Sequence, residues 1–127
     1  METTRLAAIP FFAELPEEQL AAIAEVAREV EVEPGTSLAT EGDFGHCLYA
    51  IEEGTADVVS DGEVLRSLGP GDIAGEIAVL VSGRRSASVV TTTRLRAISL
   101  FKRDVWRLEE QAPEAGRRLR ELIEARV

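Results

Sequence analysis

The chain has 127 residues, 45% of them apolar and 29% charged, with 14 Lys+Arg against 23 Asp+Glu and a net charge of −9. That describes one globular domain, residues 1–127, with a single hydrophobic core, rather than a disordered chain. It excludes the broad basic surface with which a protein grips nucleic acid or an anionic membrane.

From the N-terminus, "AAIPFFAEL" is apolar and is expected to pack the following helix onto the rest of the fold. In "PEEQLAAIAEVAREV", Leu20, Ile23, Val26, Ala27 and Val30 recur at helical spacing, with Pro16 in the first turn. After Val30 the texture changes to short segments punctuated by glycine: "SLAT", "CLYAI", "ADVVS", "EVLRSL", "SASVVTTT" and "LRAISLF". Short strands at this spacing, joined by "PGT", "EGDFG", "EEGT", "SDGE" and "GPGD", predict an antiparallel barrel or jelly roll. Asp61-Gly62 is the strongest hairpin signal, because a tight primed turn needs residues that tolerate positive φ. "TTT" at 91–93 reads as a strand end and nothing more. Helix resumes in "KRDVWRLEEQ", with Val105 and Leu108 on one stripe and Trp106 beside it. Pro113 breaks it, and "EAGRRLRELIEARV" continues with Leu119, Leu122 and Ile123, a stripe whose plain reading is core or self-packing, with a partner surface or a lid as the alternatives.

Reactive residues are scarce. Cys47 is the one cysteine, so there is no internal disulfide and no cysteine-based zinc site; within "HCLYAI" it is expected to be a buried, inert thiol. His46 is the one histidine, which leaves neither a metal cluster nor a Ser-His-Asp triad to assemble. No enzymatic activity, catalytic residue, metal or cofactor is expected. No apolar run reaches the length of a membrane span and no signal peptide pattern opens the chain, so a cytoplasmic protein is expected.

One segment carries chemistry: "GDIAGEIAVLVSGRRSASVVTTT", residues 71–93. "GEIAVLV" follows a Gly turn and is expected to wind one short helix near 76–81. Such a helix start points the free amides of Ile77 and Ala78 outward, toward an anion. Across a tight loop Arg85 can return to the same spot and grip a phosphate through two parallel hydrogen bonds, while Glu76 accepts from hydroxyls. Strand alternation puts Arg85, Ala87 and Val89 on one face, where an unpaired charge is costly and a ligand phosphate would resolve it. On composition alone the plainer reading is favoured: Arg84 and Arg85 as solvated loop charges, Glu76 as a carboxylate at a helix start.

The order of these residues resembles the cyclic nucleotide-binding domains of the catabolite activator protein, protein kinase A regulatory subunit and cyclic-nucleotide-gated channel type. Their phosphate-binding cassette is matched by Gly75-Glu76-Ile77-Ala78 followed by Arg85-Ser86-Ala87-Ser88-Val89. "IPFFAELPEEQL", "EPGTSLATEGDFGHCLYAIEEGTADVV" and "LGPGDIAGE" resemble the family's lead-in, paired Gly turns and approach to the cassette. The resemblance implies that Glu76 holds a ribose 2′-hydroxyl and that Arg85 pairs with the cyclic phosphate. It further implies help from the Ile77 and Ala78 amides and from Ser86, close backbone approach at Gly75, and room for the ligand at Ala87. Arg84 has no matching role. Ala74 departs from the family, which often has an aromatic residue there.

The fold expected is mainly β with flanking helices: an eight-stranded antiparallel jelly roll over 30–101 with a short phosphate-binding helix, an N-terminal helical lead-in over 1–29 and C-terminal helices over 102–127. The function implied is a regulatory sensor for a cyclic nucleotide, cAMP ahead of cGMP, relaying binding through its C-terminal helices to a homodimer partner or to a fused or separate effector. The alternative is a degenerate fold serving as a protein interaction module. No effector motif is visible, so the domain is expected to be part of a longer protein or to signal through a partner.

Overall fold

The computed structural model describes residues 1–39, 47–74, 87–114, 116, 117 and 121. Helices α1 (Thr3–Ala7), α2 (Pro10–Ala13) and α3 (Glu17–Val26) lead in. The strands are β1 (Arg28–Val32), β2 (Ser37–Ala39), β3 (Cys47–Glu53), β4 (Ala56–Ser60), β5 (Glu63–Leu68), β6 (Ile73–Ala74), β7 (Ser88–Thr91) and β8 (Leu95–Phe101), followed by α4 (Lys102–Gln111). They form two four-stranded antiparallel sheets, β1-β8-β3-β6 and β2-β7-β4-β5, the mainly β architecture expected. Among the described residues no helix is long and apolar enough to cross a membrane.

In the first sheet β3, β6 and β8 are buried on both faces, which explains why "CLYAI" and "LRAISLF" read as nearly continuous apolar runs rather than as alternating strands. On one face Leu48, Ala50, Ile73, Ile98 and Leu100 meet Leu6, Ile9, Phe12, Leu20 and Ile23 of the lead-in and Leu108 of α4. On the other, Ile51, Ala74, Leu95 and Ala97 meet Ala39, Ala56, Leu68 and Val89 between the sheets. The expected single core is therefore two apolar layers separated by one sheet.

The Asp61-Gly62 hairpin forms as read: both residues have positive φ, 51° and 79°, and Ser60 pairs with Glu63 across the turn. Three readings need correction. Helix α3 ends at Val26; Ala27 is already extended, and Val30 lies in β1 opposite Ala97 of β8. Pro16 caps α3 from outside, its carbonyl accepting from the amides of Gln19 and Leu20. Cys47 opens β3 half-buried, not buried. At the far end α4 stops at Gln111, and helical backbone resumes at Pro113. Leu119, Leu122 and Ile123 lie outside the described residues.

Candidate functional site

The segment with the candidate phosphate chemistry connects the two sheets. The chain leaves the first sheet at Ala74, the end of β6, and enters the second at Ser88, the start of β7. Of the seven predicted ligand residues, Ala87 is described and sits half-buried just before β7. Gly75, Glu76, Ile77, Ala78, Arg85 and Ser86, together with Arg84, His46 and the short helix expected near 76–81, lie outside the described residues.

Both anchors of this connection are held firmly. Before it, the Gly69 amide donates to Asp72 Oδ2 at 2.8 Å, and the Asp72 amide returns a bond to the Gly69 carbonyl at 3.0 Å. Gly71 and Ile51 then tie this turn to β3 through Gly71 N–H to Ile51 O at 2.8 Å and Ile51 N–H to Asp72 O at 2.9 Å. The sequence "LGPGDIA" thus delivers Ile73 and Ala74 to fixed places opposite Ala50 and Tyr49. Ala74 is buried against the inter-sheet layer, so an aromatic side chain there would displace its neighbours.

After the connection, Val89 lies opposite both Ala39 and Val58 and points into the inter-sheet layer. Thr91, only 2% exposed, closes the strand. Its hydroxyl accepts from the Thr36 amide at 2.9 Å and donates to the Glu33 carbonyl at 2.8 Å. Two backbone bonds join the same places, Gly35 N–H to Thr91 O at 2.7 Å and Thr91 N–H to Thr36 O at 2.9 Å. The "PGT" turn and the end of β7 are therefore one hydrogen-bonded unit, and the inward phase of Val89 cannot slip by a residue without breaking it.

Half of the inter-sheet layer is alanine: Ala39, Ala56, Ala74 and Ala97 out of eight buried residues. Among the described residues this layer presents small alkyl side chains rather than a reactive group.

Sequence reading missed the polar network behind this layer. Glu52, its side chain 10% exposed, sits at a β-bulge where the β3–β8 register shifts between Ile51 and Glu53. Arg5 of α1 reaches it through Nε to Oε2 at 3.2 Å and Nη2 to Oε1 at 2.6 Å. Arg96 of β8 adds an ion pair to Glu52 at 3.5 Å and a hydrogen bond to Glu53 at 3.0 Å. The available signal was two acids just before a glycine corner, and it names no partner.

The sequence pattern of the cyclic nucleotide-binding domain matches residues 29–112. The chain is 35% identical over 102 residues to a cAMP-dependent protein kinase regulatory subunit of Yarrowia lipolytica, a match covering 79% of this chain and 27% of that protein. It therefore spans about a quarter of the length of such relatives. Among solved structures it is similar to the catabolite activator protein of Thermus thermophilus, with a TM-score of 0.81, 28% identity, and coverage of 92% of this chain and 57% of that one. A Geobacter metallireducens protein superposes with a TM-score of 0.88 at 23% identity, covering 98% and 94% of the two chains, a likeness of fold.

Proposed function

The chain belongs to the cyclic nucleotide-binding domain family, and on that premise we propose that it is a non-enzymatic sensor whose ligand is cAMP. In this reading Glu76 accepts the ribose 2′-hydroxyl. Arg85 pairs with the cyclic phosphate, assisted by the Ile77 and Ala78 amides and by Ser86, while Gly75 and Ala87 make room. The observation that supports it is the order of the motif within the matched family pattern: Gly75-Glu76-Ile77-Ala78 and Arg85-Ser86-Ala87-Ser88-Val89 both fall inside residues 29–112. A singly charged phosphate diester with two free oxygens matches the planar fork of an arginine.

The output would run through the C-terminal helices. Leu108 and Ala112, at the end of α4, belong to the layer that joins the first sheet to the lead-in helices. Ligand binding shifts their position only as far as the two arrangements differ in affinity for the nucleotide.

Thermal melts with cAMP, cGMP and adenosine test the reading. A ligand bound by the native state alone adds about 2.7 kcal/mol at a hundredfold excess over Kd. The sensor reading expects a rise in Tm with the cyclic nucleotides, larger for cAMP, and none with adenosine. No rise with either cyclic nucleotide would leave the fold as an interaction module.

A further inference from the structure

The hairpin of β4 and β5 ends the second sheet, and among the described strands β5 has β4 as its one neighbour. Glu63 to Ser67 are all exposed, so this end of the hairpin stands clear of the sandwich. Val64 and Leu65 are each 59% exposed, two of the four large apolar side chains left to water among the described residues. An open strand edge that carries apolar side chains is a template for another strand. The register with β4 shows what kind. Val59 lies opposite Val64 and Val58 opposite Arg66, which leaves Leu65 as an extra residue, a bulge in β5. Ala56, Val58 and Ser60 alternate onto the inter-sheet side, and opposite them stand Leu68, Arg66 and Glu63. The other side carries Asp57 and Ser67, joined by a hydrogen bond of 2.8 Å. The bulge therefore puts Glu63 and Arg66 on one face, which regular alternation would forbid.

A bulged edge suits few partners. A regular strand laid against it would set two residues against one. A second copy of the same strand brings the same extra residue, and one-to-one opposition returns. We propose that β5 pairs antiparallel with β5 of a second copy of this chain, Glu63 of each opposite Arg66 of the other and Val64 opposite Leu65. Directly opposed residues of an antiparallel pair share a face, so both ion pairs form on one side of the joined sheet. Among the described residues no ion pair within the chain competes for Glu63 or Arg66. A slip by one residue would set Glu63 against Leu65 or Ser67 and lose both pairs. The two second sheets become one continuous sheet, and α4, packed on the first sheet, stays outside the contact. A single short strand a side falls well short of the about 800 Å² per partner of a stable complex, so the association is weak and depends on concentration.

The test is sedimentation equilibrium of the full chain without nucleotide, from about 10 µM to about 1 mM. The unaltered chain is expected to move from monomer toward dimer across that range. Glu63→Arg or Arg66→Glu sets like charges opposite one another twice and should weaken association about tenfold or more. General repulsion between acidic chains predicts the reverse for Glu63→Arg, which lowers the net negative charge. The two single variants mixed in equal amounts should associate about tenfold tighter than either alone, since every opposed pair is then arginine with glutamate. The altered positions are exposed, and a variant that failed to fold would not regain association on mixing. A chain that stays monomeric throughout, a dimer that both charge reversals leave unchanged, or a mixture no tighter than its components would overturn the proposal.

Discussion

Arg5 and Glu52, 47 residues apart, share a two-point hydrogen bond that fastens the first helix to the bulge in β3. Arg96 converges on the same carboxylate from the neighbouring strand. Glu52→Ala leaves two guanidiniums without their shared partner and is expected to cost about 2 kcal/mol, roughly 8 °C in Tm. Arg5→Lys, which keeps the charge but not the fork, should cost less than Arg5→Ala.

The same pair predicts a pH response. Its hydrogen bond to Glu52 holds the Arg5 guanidinium above its ordinary pKa, with burial opposing. A raised cation pKa contributes stability that is complete below the unfolded value and is lost only as pH climbs past the folded one. That window lies beyond ordinary buffers, so the Tm gap between wild type and Arg5→Ala should stay constant from about pH 7 to about pH 10.

At Gly54 the backbone crosses from one sheet to the other with φ +94°, and an added Cβ would stand 2.4 Å from the Arg94 carbonyl oxygen and 2.8 Å from Leu95 Cα. Both obstacles are backbone. Gly54→Ala should therefore cost about 3–4 kcal/mol in urea unfolding. Gly62→Ala meets no atom within 4 Å and carries only the conformational cost of φ +79°, about 1–2 kcal/mol. Equal costs would mean that the Arg94 backbone yields.

Thr91→Val preserves shape and removes the hydroxyl that serves the Thr36 amide and the Glu33 carbonyl, for an expected loss of about 1–3 kcal/mol. The hydroxyl of the adjacent Thr92, which meets that of Thr55 at 2.6 Å, is exposed, and Thr92→Val should stay within about 0.5 kcal/mol. Chemical denaturation of the two variants separates a buried junction from a surface contact.

For the sensor site, Glu76→Ala should weaken cAMP and weaken a 2′-deoxy cyclic nucleotide far less, because the second ligand lacks the hydroxyl that the carboxylate would accept. Arg85→Ala should cost on the order of 2–5 kcal/mol of binding and Arg85→Lys less, whereas Arg84→Ala should stay near 0.5 kcal/mol. Calorimetry on these variants decides the register: damage from Arg84→Ala with a mild Arg85→Ala would invert the strand faces.

Much of the fold was legible because strands and turns are written locally. The segments "ADVVS", "EVLRSL" and "LRAISLF" became β4, β5 and β8, and Asp61-Gly62 placed the tight turn between the first two. The candidate site was legible as an ordered motif, Gly75-Glu76-Ile77-Ala78 and Arg85 to Val89, because each position asks for a residue type that few other purposes require in that order.

Other features were decided only by tertiary structure. Val26 and Val30 are four residues apart, a spacing that suits one face of a helix and one face of a strand equally well, and pairing with β8 made Val30 a strand residue. The threonines at 91–93 look like strand filler until the Gly35 and Gly54 corners fold over them. Glu52 finds Arg5 and Arg96 only once α1 reaches the bulge in β3 and β8 pairs alongside that strand. Sequence alone determined backbone preference and residue chemistry, which act between near neighbours. Which distant groups share a buried space is a property of the packed sheets, since charge and hydrogen bonding are selective only after folding has removed the water that would otherwise serve every group alike.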